Sequence, residues 1–288
     1  MSTRENVARY YDRNTRRFIR FGGGAGALAI HRELWGPGVG SAAAAKRYVN
    51  GLIADEISSA REEAPSVVDL GCGVGGTLFD LADRFPAGRM HGVTISRAQH
   101  EMASAWAARL GLADRCSFQV GDFHDLELRA TEPENGSDAV IAVESFAHSS
   151  NPAAFFRTAA RMLGPAGRLI LVDDFLAVPR AALEPSDADL VDRFEQGWRL
   201  GTLLAAEGAT NAARAAGLRP TGDRDLTPLV RLGRPRDRAI AVVAPVLDRL
   251  GLVDVPFCGN MIGGNALQRG LRRGVLSYRM LTFATRSG

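Results

Sequence analysis

The chain of 288 residues is 46% hydrophobic and 23% charged, and its 35 Lys and Arg against 32 Asp and Glu leave a net charge of only +3. One large globular domain, or one domain with a sizeable insertion, accounts for that composition, and so small and dispersed a charge carries no footprint for nucleic acid. Lys46, the sole lysine, follows four alanines, which removes a P-loop kinase and argues against a pyridoxal Schiff base. Cys72, Cys116 and Cys258 are odd in number and form no C-x-x-C, against both a disulfide framework and a zinc site. No apolar stretch reaches the roughly 18–20 residues of a membrane span. The opening MSTRENVARYYDRNTRRF lacks the apolar segment of a signal peptide, so a cytoplasmic location is expected.

Residues 1–55 read as an N-terminal helical cap, with six arginines between Arg4 and Arg20 and a glycine-rich stretch at 22–26. Five apolar strands follow, Ser66–Leu70, Arg89–Ile95, Cys116–Gly121, Asp138–Val143 and Gly167–Asp173, separated by helical stretches around 76–85, 97–110 and 152–163. Strand and helix in alternation predict a parallel sheet covered on both faces. Ligands of such sheets lie outside the C-terminal strand ends, where the strand order reverses. Asp69, Thr94–Ser96, Asp122 and Glu144 fall at those ends and so converge although distant in sequence. Beyond Asp174 the pattern predicts helix over 184–216, a sixth strand over 218–226, helices over 229–250 and 260–273, and a last strand Leu276–Thr285. A single domain, 1–288, is expected, with a cofactor-binding core at 56–175, lid helices and the sixth strand at 176–275, and the last strand in 276–288.

Residues 67–76, VVDLGCGVGG, are the most informative run. Two β-branched residues and Asp69 end a strand, four glycines make a turn open to φ > 0 and to close approach of a ligand, and a helix follows. Gly71, Gly73 and Gly76 also satisfy the G-x-G-x-x-G of a nicotinamide or flavin enzyme, a weak pattern alone. An acid directly before the first glycine suits a ligand with a cationic amino group, which S-adenosylmethionine has where a dinucleotide has a pyrophosphate. The acid a dinucleotide needs about 20 residues on is missing, because the second strand reads RMHGVTIS.

The glycine loop, the Gly121-Asp122 pair after the third strand and LGPAGRLILVDDF at 163–175 resemble motifs of the class I S-adenosylmethionine-dependent methyltransferases. That resemblance implies an α/β, Rossmann-like, doubly wound seven-stranded sheet whose last strand is antiparallel and inserted beside the fifth, with N-terminal helices and an inserted helical lid. It also implies cofactor roles. Asp69, Gly71 and Gly73 would hold the amino acid end, Thr94 and Gln99 would lie near the ribose, and Asp122 would reach the adenine amino group. Most members carry an acid at the end of strand two, where Thr94 and Ser96 stand here. A closer resemblance, to sterol and other isoprenoid C-methyltransferases, rests on Tyr10-Tyr11-Asp12 with Phe18, Phe21 and His31, on VVDLGCGVGG, and on Val143–His148, where a glutamate precedes a histidine by four. Tyr11 would then contact the cofactor carboxylate. HRELWGPGVG after His31 departs from the sterol pattern.

The expected reaction is methyl transfer to an alkene carbon of an isoprenoid, a prenyl diphosphate by preference, leaving a tertiary carbocation that loses a proton. Glu144 is the expected base; a purely structural carboxylate is its rival reading. His148 is open to orienting Glu144, taking the proton itself, or binding phosphate or a metal. Tyr10, Trp35, Phe146, Trp198 and Tyr278 are the expected aromatic lining for the cation, against ordinary packing for each. Arg16 and Arg17 are the expected diphosphate contacts. Mg²⁺ would accompany a diphosphate, although no D-D-x-x-D announces it. An isoprenoid substrate and a second copy of the chain are the expected partners, with no nucleic acid and no stable membrane association. Three rivals stay open: an O-methyltransferase acting on a natural-product sugar or aglycone, a non-catalytic S-adenosylmethionine-binding protein, and an oxidoreductase.

Overall fold

The computed structural model describes residue 28 and residues 31–59, 64–126, 136–201 and 203–285. The expectations for Tyr10, Tyr11, Arg16 and Arg17 lie outside the described residues. Helix α1 (Ala42–Ser58) starts at Ser41, whose side chain accepts from the Ala44 amide at 3.1 Å. There follow β1 (Ser66–Leu70), α2 (Gly76–Arg84), β2 (Arg89–Thr94), α3 (Arg97–Arg109), β3 (Cys116–Val120), β4 (Ser137–Val143), α4 (Pro152–Met162) and β5 (Leu163–Leu176). The C-terminal third holds α5 (Pro185–Trp198), α6 (Ala206–Ala215), β6 (Leu218–Asp225), α7 (Pro235–Arg249), α8 (Pro256–Arg273) and β7 (Leu276–Thr285).

One seven-stranded sheet has the order β3-β2-β1-β4-β5-β7-β6. Strands β1 to β5 run parallel, and β7 is antiparallel between β5 and β6. The doubly wound architecture with an inserted antiparallel last strand is therefore as expected. Successive strand residues point to opposite faces, and both faces are covered. Val67, Ile141, Ile170 and Val172 pack toward α1 and α2, while Val68, Val140, Leu169 and Leu171 pack with Phe155, Phe156 and Phe283. Burial on both sides is why these strands read as unbroken apolar runs. The order reverses between β1 and β4, so the crevice at their C-terminal ends collects Asp69, Glu144 and the glycine turn.

The fifth strand is longer than the Gly167–Asp173 expected, running over Leu163–Leu176, and three boundaries beyond it also differ from the periodicity. The stretch 184–216 is two helices, because Arg199 turns left-handed at φ +55 and ends α5. The chain then pairs with the end of β5, where the Leu176 amide donates to the Leu204 carbonyl at 2.9 Å. Helix α7 begins at Pro235 rather than at 229, since Leu34 and Val230 form an antiparallel bridge. Helix α8 opens earlier than residue 260, at Pro256. A pattern of apolar spacing registers none of these long-range backbone contacts.

Helices α5 and α8 form the lid and cross at glycines. A Cβ at Gly197 would lie 2.4 Å from the Gly259 carbonyl oxygen and 2.6 Å from the Gly263 amide nitrogen, both backbone atoms that cannot swing aside. Gly197→Ala is accordingly expected to destabilise the protein by about 1–3 kcal/mol through overpacking, read as a lower urea midpoint at unchanged m-value. A midpoint equal to that of the unsubstituted chain would refute the tight crossing.

Candidate active site

A cavity of about 520 Å³ opens at the C-terminal ends of β1, β2, β4 and β5, under α5, α7 and α8. Its floor is the glycine turn. The amides of Gly71 and Cys72 both donate to the Val93 carbonyl at 2.9 Å. Gly71 sits at φ +102, and a Cβ there would lie 2.3 Å from the Ser145 Cβ. The absent side chain thus makes room for the turn after β4, whose Ser145 hydroxyl donates to the Leu70 carbonyl at 2.6 Å. Asp69 lines the cavity, is 2% exposed, and its buried Oδ1 has no partner among the described residues. Burial alone pushes its carboxyl up to about 7. A buried carboxylate with a bare oxygen is matched by a cationic donor, and the α-ammonium of S-adenosylmethionine is such a group. Thr94 and Gln99 line the same end, joined by a 2.7 Å hydrogen bond from the threonine hydroxyl. Asp122 accepts from the His124 amide at 2.9 Å, and its Oδ1 lies 2.7 Å from His124 Nδ1. As a carboxylate only accepts, that nitrogen carries the proton, and Nε2 accepts from the Ser149 hydroxyl at 2.8 Å.

The opposite wall is charged. Arg32 donates from both terminal nitrogens to the two oxygens of Asp174, at 2.8 and 2.6 Å, a forked pair. Its Nε lies 3.2 Å from Glu144 Oε1, and its amide donates to the same oxygen at 3.0 Å. The Tyr278 hydroxyl donates there too, at 2.9 Å, and the guanidinium stacks 4.2 Å over the Tyr278 ring. Oε1 of Glu144 is thereby saturated, while Oε2 has no partner among the described residues. Glu144 itself is held left-handed at φ +50, a conformation that costs a non-glycine residue about 1–3 kcal/mol. Asp173 accepts from the amides of Ala147 and Asp174 at 3.0 and 2.8 Å, and burial raises its carboxyl to about 7. Burial lowers the pKa of His148, whose Nδ1 lies 3.3 Å from the Arg199 carbonyl, so the ring is neutral at pH 7.

The cavity brings together Asp69, Gly71, Gly73, Thr94, Gln99, Asp122, Glu144, His148, Trp35 and Trp198 of the residues picked from the sequence. It does not include Phe146 or Tyr278 as lining. Phe146 is a correction: it points below the strand ends, 4.9 Å from Phe155 and 5.3 Å from Phe156 by ring centroids, and is buried in that aromatic layer. Tyr278 is also wholly buried and faces Glu144 and Arg32 instead. Arg32, Asp173, Asp174 and His124 went unassigned. Two consecutive acids closing an apolar strand at 173–174 were the legible signal; a lone Arg32 after His31 carried none. Among the described residues no cluster of three or more His, Cys, Asp or Glu is set to hold a metal, and no helix is long and apolar enough to cross a membrane.

Residues 67–167 match a family model described as a methyltransferase domain. A probable chloroplastic tocopherol O-methyltransferase of Oryza sativa is 36% identical over 137 residues, 46% of this chain and 36% of the relative. The chloroplastic tocopherol O-methyltransferase of Arabidopsis thaliana is 29% identical over 225 residues, 75% of this chain and 62% of the relative. The chain thus spans less than two thirds of the length of either. Among solved structures, a geranyl diphosphate C-methyltransferase from Streptomyces coelicolor, complexed with Mg²⁺, geranyl-S-thiolodiphosphate and S-adenosyl-L-homocysteine, superposes with a TM-score of 0.72 over 99% of both chains. At 18% identity that likeness is one of fold.

Arg32→Met leaves two buried carboxylates without their cation and is expected to cost about 3–5 kcal/mol in chemical denaturation. Adding Asp174→Asn should recover part of that loss; no recovery would show that Asp174 is not the strained partner. For Asp69, a folded pKa of about 7 stands above the unfolded value of about 4. The folded state therefore holds the proton more tightly, and the stability this group contributes is lost as pH rises from about 4 to about 7. Asp69→Asn is expected to raise the melting temperature of the ligand-free protein at pH 8 by about 2–4 °C for each kcal/mol relieved. The same change should weaken S-adenosylhomocysteine about 10- to 100-fold by calorimetry, and flatten the loss of affinity on acidifying below pH 7.

Proposed function

With a methyltransferase domain at residues 67–167 set in the fold of the S-adenosylmethionine-dependent methyltransferases, we propose that the chain transfers a methyl group from S-adenosylmethionine to an alkene carbon of an isoprenoid. The observation that carries this reading is the state of Glu144. One carboxylate oxygen accepts from the Arg32 amide and the Tyr278 hydroxyl and is ion-paired with the Arg32 guanidinium, while the other has no partner among the described residues and Glu144 lines the cavity.

Bound S-adenosylmethionine supplies an electrophilic methyl carried on a sulfonium. Asp69 and the turn at 71–73 fix the amino acid end of that ligand, and the Thr94–Gln99 and Asp122–His124 pairs flank its nucleoside end. Transfer requires the alkene carbon to be held about 3–3.5 Å from the methyl. In such a transfer the π pair would form the new carbon–carbon bond, the carbon–sulfur pair would stay on sulfur, and a tertiary cation would be left on the substrate. Phe194 and Trp198, packed edge to face at 5.2 Å, roof the cavity and keep out water that would capture the cation. Their faces and the Glu144 carboxylate stabilise its charge. Oε2 of Glu144 then receives the proton from the adjacent carbon, and that carbon–hydrogen pair becomes the new double bond. Arg32 holds the carboxylate in place through its amide and its guanidinium.

Glu144→Gln keeps the shape and removes the basic oxygen. Its turnover with labelled S-adenosylmethionine and an isoprenoid panel is expected to fall roughly 100-fold or more, while S-adenosylhomocysteine affinity stays within twofold of the unsubstituted chain. Undiminished activity with the same product would sink the carbocation route, and label found on oxygen would establish the O-methyl reading that His148 also suits.

A further inference from the structure

The mouth of the cavity is built from two short segments tied together. Leu34 bridges Val230, the Trp35 amide donates to the Leu229 carbonyl at 2.8 Å, and the Tyr278 amide donates to the Thr227 hydroxyl at 2.9 Å. These bonds fix the loop 227–236 against the wall that carries Arg32. Charge along it is not balanced. Arg32 is committed to Asp174 and Glu144, and Arg234 to Glu33 at 3.1 Å and Asp237 at 3.5 Å. Arg231 and Arg236 line the cavity with no carboxylate partner among the described residues. Arg231 is also pre-positioned, its guanidinium carbon over the Trp35 ring at 3.3 Å from the centroid. Stacking of that kind covers the faces of the guanidinium and leaves its edge donors for a two-point acceptor.

We propose that Trp35, Arg231 and Arg236 form a subsite for a phosphate or diphosphate head group on the isoprenoid, an inference that rests on the methyl-transfer reading above. The cavity is electrically polarised along its length. Glu144, Asp173 and Asp174 sit at the strand ends, the two uncompensated arginines are exposed, and apolar Trp198, Ile240 and Leu267 also line the cavity. An anionic head has one favourable place, at the mouth, and is repelled by the carboxylates in the depth. The hydrocarbon is thereby drawn in alkene-first toward Glu144, so the head group sets orientation as well as affinity. Arg231 lies on the segment before α7 and Arg236 in the first turn of α7, apart in the chain from the Arg16 and Arg17 expected from the sequence.

Two measurements test it separately from the chemistry. Inorganic pyrophosphate is titrated calorimetrically into the unsubstituted chain, Arg231→Gln/Arg236→Gln and an Arg249→Gln control, with S-adenosylhomocysteine titrated alongside. Pyrophosphate binding is expected in the first and the control, and about 100-fold weaker or absent in the double variant. Steady-state kinetics then compare a prenyl diphosphate, the monophosphate and the free alcohol of one chain length. KM for the phosphorylated substrates is expected to rise about 10-fold per arginine removed, with KM for the alcohol unchanged. Equal use of alcohol and both phosphates by the unsubstituted chain, or an unaltered KM in the double variant, would overturn the subsite while leaving methyl transfer standing. Loss of pyrophosphate binding in the double variant, in a protein that methylates no isoprenoid, would uphold the subsite and remove the isoprenoid reading instead.

Discussion

The ion pair that Arg32 makes with Asp174 and Glu144 is the constraint around which the rest of the site is arranged. Two carboxylates and a guanidinium withdrawn from water are costly unless each is paired and hydrogen-bonded. Here the fork to Asp174, the amide of Arg32 and the Tyr278 hydroxyl supply those bonds. The strands that contribute are β4, β5 and β7, so the network forms only once β7 is inserted beside β5. It also draws the segment 31–35 over the strand ends, and with it Trp35 and the bridge to Val230. Glu144 can keep its left-handed backbone because the surrounding bonds over-determine it.

From that constraint follows the division of the cavity. Asp69 and the glycine turn make a buried, tightly packed acidic end, and Glu144 lines the same cavity. The lid is made of α5 and α8, brought into backbone contact by Gly197, Gly259 and Gly263. Close approach sets Trp198 beside the cavity, where its indole nitrogen donates to the Asn260 carbonyl at 3.3 Å. Trp198 and Leu267 are the apolar part of that roof, beside Asn260, Asn265 and Gln268.

A second network joins the segment after β3 to the turn after β4. Asp122 orients His124, and His124 takes the hydroxyl of Ser149, one residue beyond His148. The turn 146–149 is further pinned by the Gly201 amide, which donates to the Ala147 carbonyl at 2.8 Å. The side chains of Glu144 and His148 are therefore positioned from several elements at once. Such over-determination is what holds a reacting group within the fraction of an ångström that chemistry requires.

The sequence by itself determined the architecture and the cofactor end. Apolar strand runs separated by helical spacing specify a sheet covered on both faces, and an acid followed by glycines specifies the turn at its switch point, because backbone conformation and burial period are local properties. Glu144 was legible for the same reason, as a charge interrupting the end of an apolar strand. Only the tertiary structure decided that Phe146 belongs to the core, that Tyr278 serves Glu144, that Arg32 is its counter-ion, and that Arg231 and Arg236 line the cavity. The partners of Tyr278, Arg32 and Arg231 lie more than 100 positions away in the chain, and Phe146 is fixed by how α4 packs on the sheet; neither leaves a period in the sequence to read.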